Sequence, residues 1–474
     1  MKNRIYLKFF SLGIIFLFIG TTIIPNTISY TIDPSISKMI KEKPEIFSSG
    51  VYDLLIIAPS RFSRAINPLV IHKNKNGVKT ILMDVEDVYD HMYWYGRDKA
   101  EKIKYFIKNA YDYWGIKYVL LIGGRKNQGP KETYWIPVRY SYLNRNYDTM
   151  REEKFLCDLY FADIYDSKGD FSSWDDNNNG VFGEWPNDEP ALDKPDLYPD
   201  IAVGRLPCRN RLEVRRVVKK IINYETGKSP DSWFKKMIVV AGDTYPDKTD
   251  YIDGEVYTQQ ALDIMNDFKP VKLWTSDGSL KDSKDVVKEL NKGCGFIWFS
   301  GHGNPKSWAT HPPNSSEWIS GLKIYDIRFL VNREKLPVCI TGSGCFNSMF
   351  NISLLYSPRV FGLPARHCFS WALVIQKFGG SIATIGATAF SYETPDINTG
   401  YGGIEWLDLH FFEQYKKYKK DILGETWSDT IISFLQNCSI DWNDPSATGS
   451  ALVCKNVEQW LLIGDPSLKI GGYA

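Results

Sequence analysis

Short apolar runs alternate with amphipathic stretches along most of this chain. Each apolar run closes on glycine or a polar residue, which is the pattern of a strand buried in a parallel sheet. The stretches between them repeat apolar residues with helical spacing, and residues 98–114 place Ile103, Phe106, Ile107 and Tyr111 on one face. This alternation predicts an α/β fold with mainly parallel sheets and flanking helices. Strands are predicted within 52–59, 80–85, 118–124, 198–207, 237–243, 271–274, 295–303, 336–345 and 381–388, and helices near 61–75, 98–114, 213–224, 255–268, 281–292, 369–378 and 404–436.

The first 24 residues have the composition of an export segment. Lys2, Arg4 and Lys8 precede an apolar stretch over residues 9–24. A basic start followed by such a stretch is typical of a secretory signal peptide or of an uncleaved membrane anchor, and both interpretations stay open. Residues 25–47 are polar and proline-containing and are predicted to be a linker or pro-like segment. The body of the protein is expected outside the cytoplasmic membrane, secreted or tethered through residues 9–24.

Length and composition describe the rest as an ordinary globular protein. A chain of 474 residues predicts two adjacent α/β/α subdomains, 48–228 and 229–474, with the polar run at 225–234 as their boundary. A net charge of +1 gives nucleic-acid binding no electrostatic support. Gly123 and Gly124 follow a strand, but the nucleotide-binding glycine patterns are absent, so no organic cofactor is expected.

The cysteine count argues against a complete set of disulfides. The chain has eight cysteines, so a free Cys345 leaves an odd number and at least one further thiol. Cys294 and Cys339 lie in or beside apolar strands and are predicted to be buried thiols. No bridge is assigned.

Two strand ends carry the candidate chemistry. The run 295–303 breaks on His302, which stands between Gly301 and Gly303, and the run 336–345 breaks on Cys345, after Gly344. Ligands bind outside the carboxyl ends of parallel strands, so the two side chains are expected in one cleft. A cysteine or a histidine alone at such a place more often has a structural role. Because both are present and each is flanked by glycine, a catalytic role and a structural role are equally good interpretations of the pair.

A histidine beside a cysteine is the arrangement that activates a thiol. The imidazole accepts the thiol proton and the thiolate attacks a carbonyl carbon. Glycine lets the backbone approach the substrate closely. The amide groups of Gly303 and Cys345 are therefore predicted to form an oxyanion hole.

A third pattern, in residues 174–184, suggests a metal. Asp175, Asn177 and Asn179 alternate before Gly180, as in the first half of a calcium loop, and Glu184 could replace the acidic ligand expected two positions later. An Asn- and Asp-rich surface turn explains the same residues equally well.

The stretches 300–303 and 341–347 resemble the His-Gly and Cys motifs of gingipain-type cysteine peptidases, which belong to the caspase and legumain clan. The strand ending in Gly204-Arg205 and the Gly-Asp-Pro-Ser-Leu sequence at 464–468 resemble that family too. The resemblance extends over roughly residues 50–471. It implies a caspase–hemoglobinase-like fold, with residues 229–474 as the catalytic subdomain.

The resemblance also implies roles for single residues. Asp200 matches the acidic residue that orients the histidine in that family, although it could equally cap a turn. Tyr392 matches an aromatic that walls the pocket for the residue before the cleaved bond. Related peptidases carry calcium near the Asn-rich loop, which favours a structural Ca²⁺ held by Asp175, Asn177, Asn179 and Glu184.

Together these features predict an exported cysteine endopeptidase acting on protein or peptide substrates through a thioester acyl-enzyme. Cleavage after Arg or Lys is an expectation of the resemblance alone, with Glu213 and Glu393 as candidate pocket carboxylates. The alternative is an inactive surface module that keeps the fold for binding or adhesion. A metal-dependent hydrolase is disfavoured, because His302 and His311 are the only histidines between positions 92 and 366 and no H-E-x-x-H pattern occurs.

Overall fold

A ten-stranded sheet runs through the centre of the computed structural model, which describes residues 45–48, 50–147, 150–227, 231–246, 251–356, 364–393, 402–445 and 449–473. Its strand order is β10-β9-β11-β15-β16-β17-β8-β3-β1-β2, and β12, β13 and β14 form a small separate sheet. The strands are β1 (Leu54–Ala58), β2 (Thr80–Asp84), β3 (Tyr118–Ile122), β4 (Tyr140–Ser141), β5 (Arg145–Tyr147), β6 (Met150–Glu152), β7 (Phe155–Leu156), β8 (Ala202–Leu206), β9 (Lys236–Ala241), β10 (Lys269–Trp274), β11 (Phe296–Ser300), β12 (His302–Asn304), β13 (Ser307–Thr310), β14 (Ile319–Lys323), β15 (Val338–Thr341), β16 (Ala383–Ala387) and β17 (Trp460–Ile463).

The large sheet consists of two parallel halves that point in opposite directions. All neighbouring strands pair in parallel except β16 and β17, which are antiparallel. The carboxyl ends of β9, β11 and β15 therefore lie at the same edge as the amino ends of β8 and β3. The mainly parallel α/β architecture is confirmed. Both predicted subdomains contribute to one continuous sheet, and the boundary placed near residue 228 stays a prediction.

Helices cover the two faces of the sheet, whose central strands are apolar and buried. Residues 404–436 were expected to be largely helical and contain two helices, whereas the helix over 449–459 and the antiparallel strand after it were not predicted. The helices are α1 (Ser63–Lys75), α2 (Val85–His91), α3 (Lys99–Trp114), α4 (Arg211–Thr226), α5 (Asp231–Phe234), α6 (Asp253–Ile264), α7 (Ser283–Leu290), α8 (Phe369–Ile375), α9 (Ile404–Lys416), α10 (Leu423–Gln436) and α11 (Gly449–Gln459).

Local sequence signals fix the ends of these helices. The Asp98 side chain accepts a hydrogen bond from the Glu101 amide at the start of α3, and Gly115 ends that helix with a φ of 71°. Asn210 caps α4 in the same way by accepting from the amides of Leu212 and Glu213. Of the predicted inner face of α3, Ile103, Phe106 and Ile107 are buried and Tyr111 is half-buried. Capping and amphipathic spacing therefore agree on where these helices lie.

The Gly-Asp-Pro-Ser-Leu sequence has a structural role in a buried ionic group, which we call the tail cluster: His72, Lys73, Glu225 and Asp465. Lys73 Nζ lies 2.8 Å from Glu225 Oε1 and 2.9 Å from Asp465 Oδ2, and His72 Nε2 lies 2.9 Å from Glu225 Oε2. Asp465 also accepts from the Ser467 amide. The cluster ties the chain terminus to α1 and α4.

All eight cysteines are free thiols, and Cys294 and Cys339 are buried as predicted. In the portion of the chain that the structure describes, no helix is long and apolar enough to cross a membrane. The signal or anchor at residues 9–24 and most of the linker at 25–47 lie outside the described residues.

Candidate active site

The two candidate strand ends meet at one edge of the sheet. β11 and β15 are neighbours, with Phe296 opposite Val338. Beyond their ends the backbones of Gly303 and Gly344 touch, because a Cβ added to Gly303 would lie 2.6 Å from the Gly344 carbonyl carbon. Only glycine at position 303 permits this approach. His302 and Cys345 are the chain neighbours of these two glycines, so their backbones lie at the same edge of the sheet.

A backbone carbonyl holds the imidazole of His302. His302 Nε2 lies 2.7 Å from the Thr244 oxygen, and since a carbonyl only accepts, Nε2 carries the proton. The Thr244 amide in turn donates to Asp253 Oδ1 at 2.8 Å. Burial lowers the pKa of His302, and the Thr244 hydrogen bond partly opposes that effect. The neutral ring thus presents Nδ1 as its basic nitrogen.

Ser391 holds the thiol of Cys345. Its Oγ lies 3.3 Å from Sγ, and its amide donates to the same sulfur at 3.4 Å. Burial raises the pKa of Cys345, while these hydrogen bonds work in the opposite direction. The resting side chains are a neutral thiol and a neutral imidazole, so proton transfer must accompany attack. No pattern in the sequence marks Ser391 as a partner of the cysteine.

Asp408 of α9 braces the turn that precedes the cysteine. Its Oδ2 accepts from the Ser343 amide at 3.2 Å and from Trp298 Nε1 at 3.1 Å, and its Oδ1 accepts from Trp460 Nε1 at 2.8 Å. A Cβ at Gly342 would lie 2.1 Å from Asp408 Oδ1. Burial raises the pKa of Asp408 to about 7. The glycine at 342 therefore serves the turn that presents Cys345.

The predicted oxyanion hole is only partly set up in this conformation. The Cys345 amide donates to the Ser343 carbonyl at 3.1 Å, so it must break that bond to bind a substrate oxygen. Gly303 lies at the cleft through its contact with Gly344. The roles of Gly303 and Cys345 as oxyanion donors stay predictions.

Asp200 does not lie behind the histidine. Its carboxylate accepts from the amides of Ile164 and Tyr165 at 2.7 and 2.9 Å, so it caps a turn, which was the alternative interpretation. Asp200 precedes β8, which is four strands away from β11 in the sheet. With roughly 4.8 Å between neighbouring strands, an aspartate side chain cannot span that separation. The backbone carbonyl of Thr244 takes the place behind His302 that was predicted for Asp200. Because every residue has such a carbonyl, the sequence gives no sign of this contact.

Beside the dyad is an acidic pocket, formed by Asp253, Glu393 and Glu405. Glu393 is hydrogen-bonded to Glu405, and Tyr245 interacts electrostatically with both carboxyl groups and with the Cys345 thiol. Glu405 is buried, and apart from Glu393 no donor in the described residues reaches its oxygens. Burial and Glu393 raise the pKa of Glu405 well above its usual range, and burial with Asp253 raises that of Glu393 to about 8.

The other two predicted pocket residues, Tyr392 and Glu213, lie in different parts of the molecule. Tyr392 directly precedes Glu393, with its amide and carbonyl hydrogen-bonded to Asn456, so it lies beside the acidic pocket. Glu213 instead accepts from the Arg209 amide at 2.8 Å and contacts His367 at the start of α4. Glu213 is therefore a helix-capping residue. Nothing in the sequence marked Glu405 as a pocket residue, because the apolar residues around it have the pattern of an ordinary buried helix.

The predicted calcium ligands are already occupied by protein donors. Asp175 is buried and ion-paired with Arg97, and accepts from the amides of Asn179 and Gly180. Asn177 accepts from the Asn179 amide at 3.0 Å, and Asn179 Nδ2 donates to Glu184 at 2.6 Å. Among the described residues no group of three or more His, Cys, Asp or Glu side chains is arranged to hold a metal. The calcium site therefore stays a prediction.

Comparison with known proteins identifies relatives of the whole body of the chain. A sequence model of peptidase family C25 matches residues 48–471. Gingipain R2 of Porphyromonas gingivalis is 20% identical over 407 residues, which cover 80% of this chain and 45% of that protein. Lys-gingipain of the same organism is 22% identical over 216 residues, 44% of this chain and 11% of that protein. The chain thus spans less than half the length of these curated relatives.

Solved structures extend the similarity to the fold. The crystal structure of the Arg-specific cysteine proteinase gingipain R is similar with a TM-score of 0.59 at 18% identity, covering 88% of this chain and 78% of that one. The complex of Porphyromonas gingivalis RgpB pro- and mature domains matches with the same TM-score and identity, covering 79% of its chain. The caspase-like α/β fold is confirmed.

Proposed function

The chain belongs to peptidase family C25, and from this membership and the geometry of the cleft we propose that it is a cysteine endopeptidase. The contact between Gly303 and Gly344 supports the proposal, because the chain neighbours of these glycines are a histidine and a cysteine that follow neighbouring strands. Export, with secretion or tethering outside the cytoplasmic membrane, is part of the proposal and rests on residues 9–24.

Acylation would begin at the resting neutral pair. As Cys345 Sγ bonds to the scissile carbonyl carbon, its proton passes to His302 Nδ1, and the Thr244 carbonyl stabilises the imidazolium through Nε2. The carbonyl π electrons move to the oxygen, for which Gly303 supplies a nearby amide. His302 then protonates the leaving amine as the C–N bond breaks. The product of this half-reaction is a thioester, and a water molecule deprotonated by His302 hydrolyses it.

The acidic pocket supports a preference for Arg or Lys before the cleaved bond. Glu405 and Glu393 share a buried site with no cation among the described side chains. A basic substrate side chain would provide the missing positive charge and stabilise the carboxylates. Tyr245 links the pocket to the thiol, which is the placement that the residue before the scissile bond requires.

Hydrolysis of a fluorogenic peptide panel varied at that residue tests the activity. We expect cleavage by the wild-type protein and at least ~10³-fold lower kcat/KM for Cys345→Ala and His302→Ala, with unchanged thermal stability. Cys438→Ala is the matched control, since Cys438 is the other half-buried cysteine. Wild-type rates in either dyad variant would refute the dyad, and no cleavage of any peptide would favour the inactive binding module.

The same panel tests the pocket. Glu405→Gln should lower kcat/KM for Arg and Lys peptides by at least ~30-fold, because a buried cation then lacks its partner, and should leave neutral peptides unaffected. Glu213→Gln is the control, since Glu213 caps α4 instead. An equal loss for all peptides would contradict the assignment of Glu405 to specificity.

A further inference from the structure

Two exposed aromatic side chains flank the imidazole of His302. The Tyr245 ring lies 5.6 Å from the His302 ring, centroid to centroid, and the Trp318 ring lies 5.1 Å from it, both edge to face. Trp318 is 57% exposed. Single exposed aromatic side chains are common on protein surfaces, so the contact with His302, and not the exposure alone, singles out Trp318.

Trp318 is held rigidly despite its exposure. Its ring lies 3.9 Å from the ring of His311, which is buried and whose Nδ1 lies 3.0 Å from the Glu317 carbonyl oxygen. His311 also forms a two-way backbone bridge with Asp243, and the Asp243 carboxylate accepts from the Asn314 amide. The indole is therefore positioned before any ligand arrives, as a binding wall requires.

The two aromatics have different partners. Tyr245 interacts with Glu393, Glu405 and the Cys345 thiol, so it faces the acidic pocket that precedes the cleaved bond. Trp318 lies in the loop that joins β13 to β14, and its ring contacts the rings of His302 and His311. Since His302 must protonate the leaving amine, we assign Trp318, whose ring packs against His302, to the amine side of the substrate.

We propose that Trp318 forms the binding wall for the side chain that follows the cleaved bond, and that it selects an apolar residue there. This inference rests on the proposed peptidase activity. An aliphatic or aromatic side chain would cover the exposed indole and the edge of the His302 ring, removing apolar surface of both partners from water. A charged side chain would lose hydration against these aromatic rings.

Internally quenched peptides that differ only at this position test the proposal. They share one residue before the cleaved bond, chosen as the best in the panel, and carry Leu, Phe, Gly or Asp after it. The wild-type protein should cleave the Leu and Phe peptides with about 5–30-fold higher kcat/KM than the Gly peptide. Trp318→Ala should reduce that preference to less than about 3-fold while changing cleavage of the Gly peptide little.

Two further variants separate specificity from structure. Trp318→Phe keeps an aromatic wall and should retain most of the preference. Trp94→Ala removes an indole that is 85% exposed in the segment between α2 and α3, and should change nothing. Thermal melting of each variant checks that it is folded.

The outcomes distinguish the two proposals. An equal loss on all four peptides in Trp318→Ala would make Trp318 a support for His302 and overturn the inference, as would a wild-type protein without preference at this position. Either result leaves the peptidase proposal intact. If the wild-type protein cleaves none of the peptides in a Cys345-dependent manner, both proposals are overturned.

Discussion

Both the tail cluster and the acidic pocket bury carboxyl groups beside the central sheet, but only one supplies them with cations. In the tail cluster, Glu225 contacts both Lys73 and His72. In the acidic pocket, Glu405 has Glu393 as its hydrogen-bonding partner and no described cation. The Coulomb and hydrogen-bond gains thus offset the burial of charge in the first region but not in the second.

This difference separates acids that stabilise the fold from acids that await a ligand. A paired carboxylate is complete within the folded chain, so its loss should reduce stability. An unpaired, protonated carboxyl group costs stability, and a cationic partner that arrives later would offset that cost. The two regions should therefore respond oppositely to substitution and to pH.

The largest effect is expected from removal of the cation in the tail cluster. Lys73→Met leaves Glu225 and Asp465 buried without their ammonium partner and should lower the free energy of unfolding by about 3–5 kcal/mol. Urea unfolding followed by tryptophan fluorescence measures it. Lys75→Met, at an exposed position of the same helix, is the control and should change stability by less than about 0.5 kcal/mol. Equal stability of the two variants would show that the ion pairs contribute little.

The second effect is a pair of opposite pH dependences. Burial and Asp253 raise the pKa of Glu393 to about 8, so the folded state holds its proton longer and stability falls as pH rises from about 4.5 to about 8. Burial also acts on Glu225, but Lys73 and His72 outweigh it and lower its pKa. The contribution of Glu225 is therefore present above the ordinary glutamate pKa and is lost as pH falls through the lowered value.

Unfolding measured between about pH 2 and pH 8.5 resolves these two contributions. Glu393→Gln should flatten the decline on the alkaline side, and Glu225→Gln should flatten the decline on the acidic side. A Glu393→Gln protein with the wild-type alkaline slope would mean that the pocket acids are ionised in the folded protein, which would remove the contrast between the regions.

The sequence predicts the parts of this molecule that depend on side-chain pattern and local spacing. The buried parallel strands, and the placement of His302 and Cys345 just beyond two neighbouring ones, follow from apolar runs ending at glycine. The pairing of strands that are distant in the sequence is harder to predict. The sequence of β17 looks like any other apolar run, and only the assembled sheet shows that it pairs antiparallel with β16. The histidine partner was missed for a different reason: Thr244 acts through its backbone carbonyl, which any residue possesses.

The Asn-rich loop gives a smaller test of the same comparison. Asp175 is buried and paired with Arg97, so it resembles the tail cluster and should need no metal. Asp175→Asn should lower the melting temperature by a few degrees, to the same extent with calcium and with a chelator. A wild-type melting temperature that rises with calcium, while that of Asp175→Asn does not, would show that calcium displaces Arg97 from the carboxylate.

The smallest effect is expected at Ser391, where no charge is involved. Ser391→Ala removes the hydroxyl 3.3 Å from Cys345 Sγ but keeps the amide that donates to the sulfur at 3.4 Å. A lost neutral hydrogen bond of about 1 kcal/mol should lower kcat/KM about 3–10-fold. Because the hydroxyl also lowers the thiol pKa, the rate of Cys345 alkylation by iodoacetamide should rise at a higher pH than in the wild type. An unchanged alkylation profile with reduced kcat/KM would mean that Ser391 acts on the substrate or on the Ser343 carbonyl, which its hydroxyl contacts at 3.1 Å.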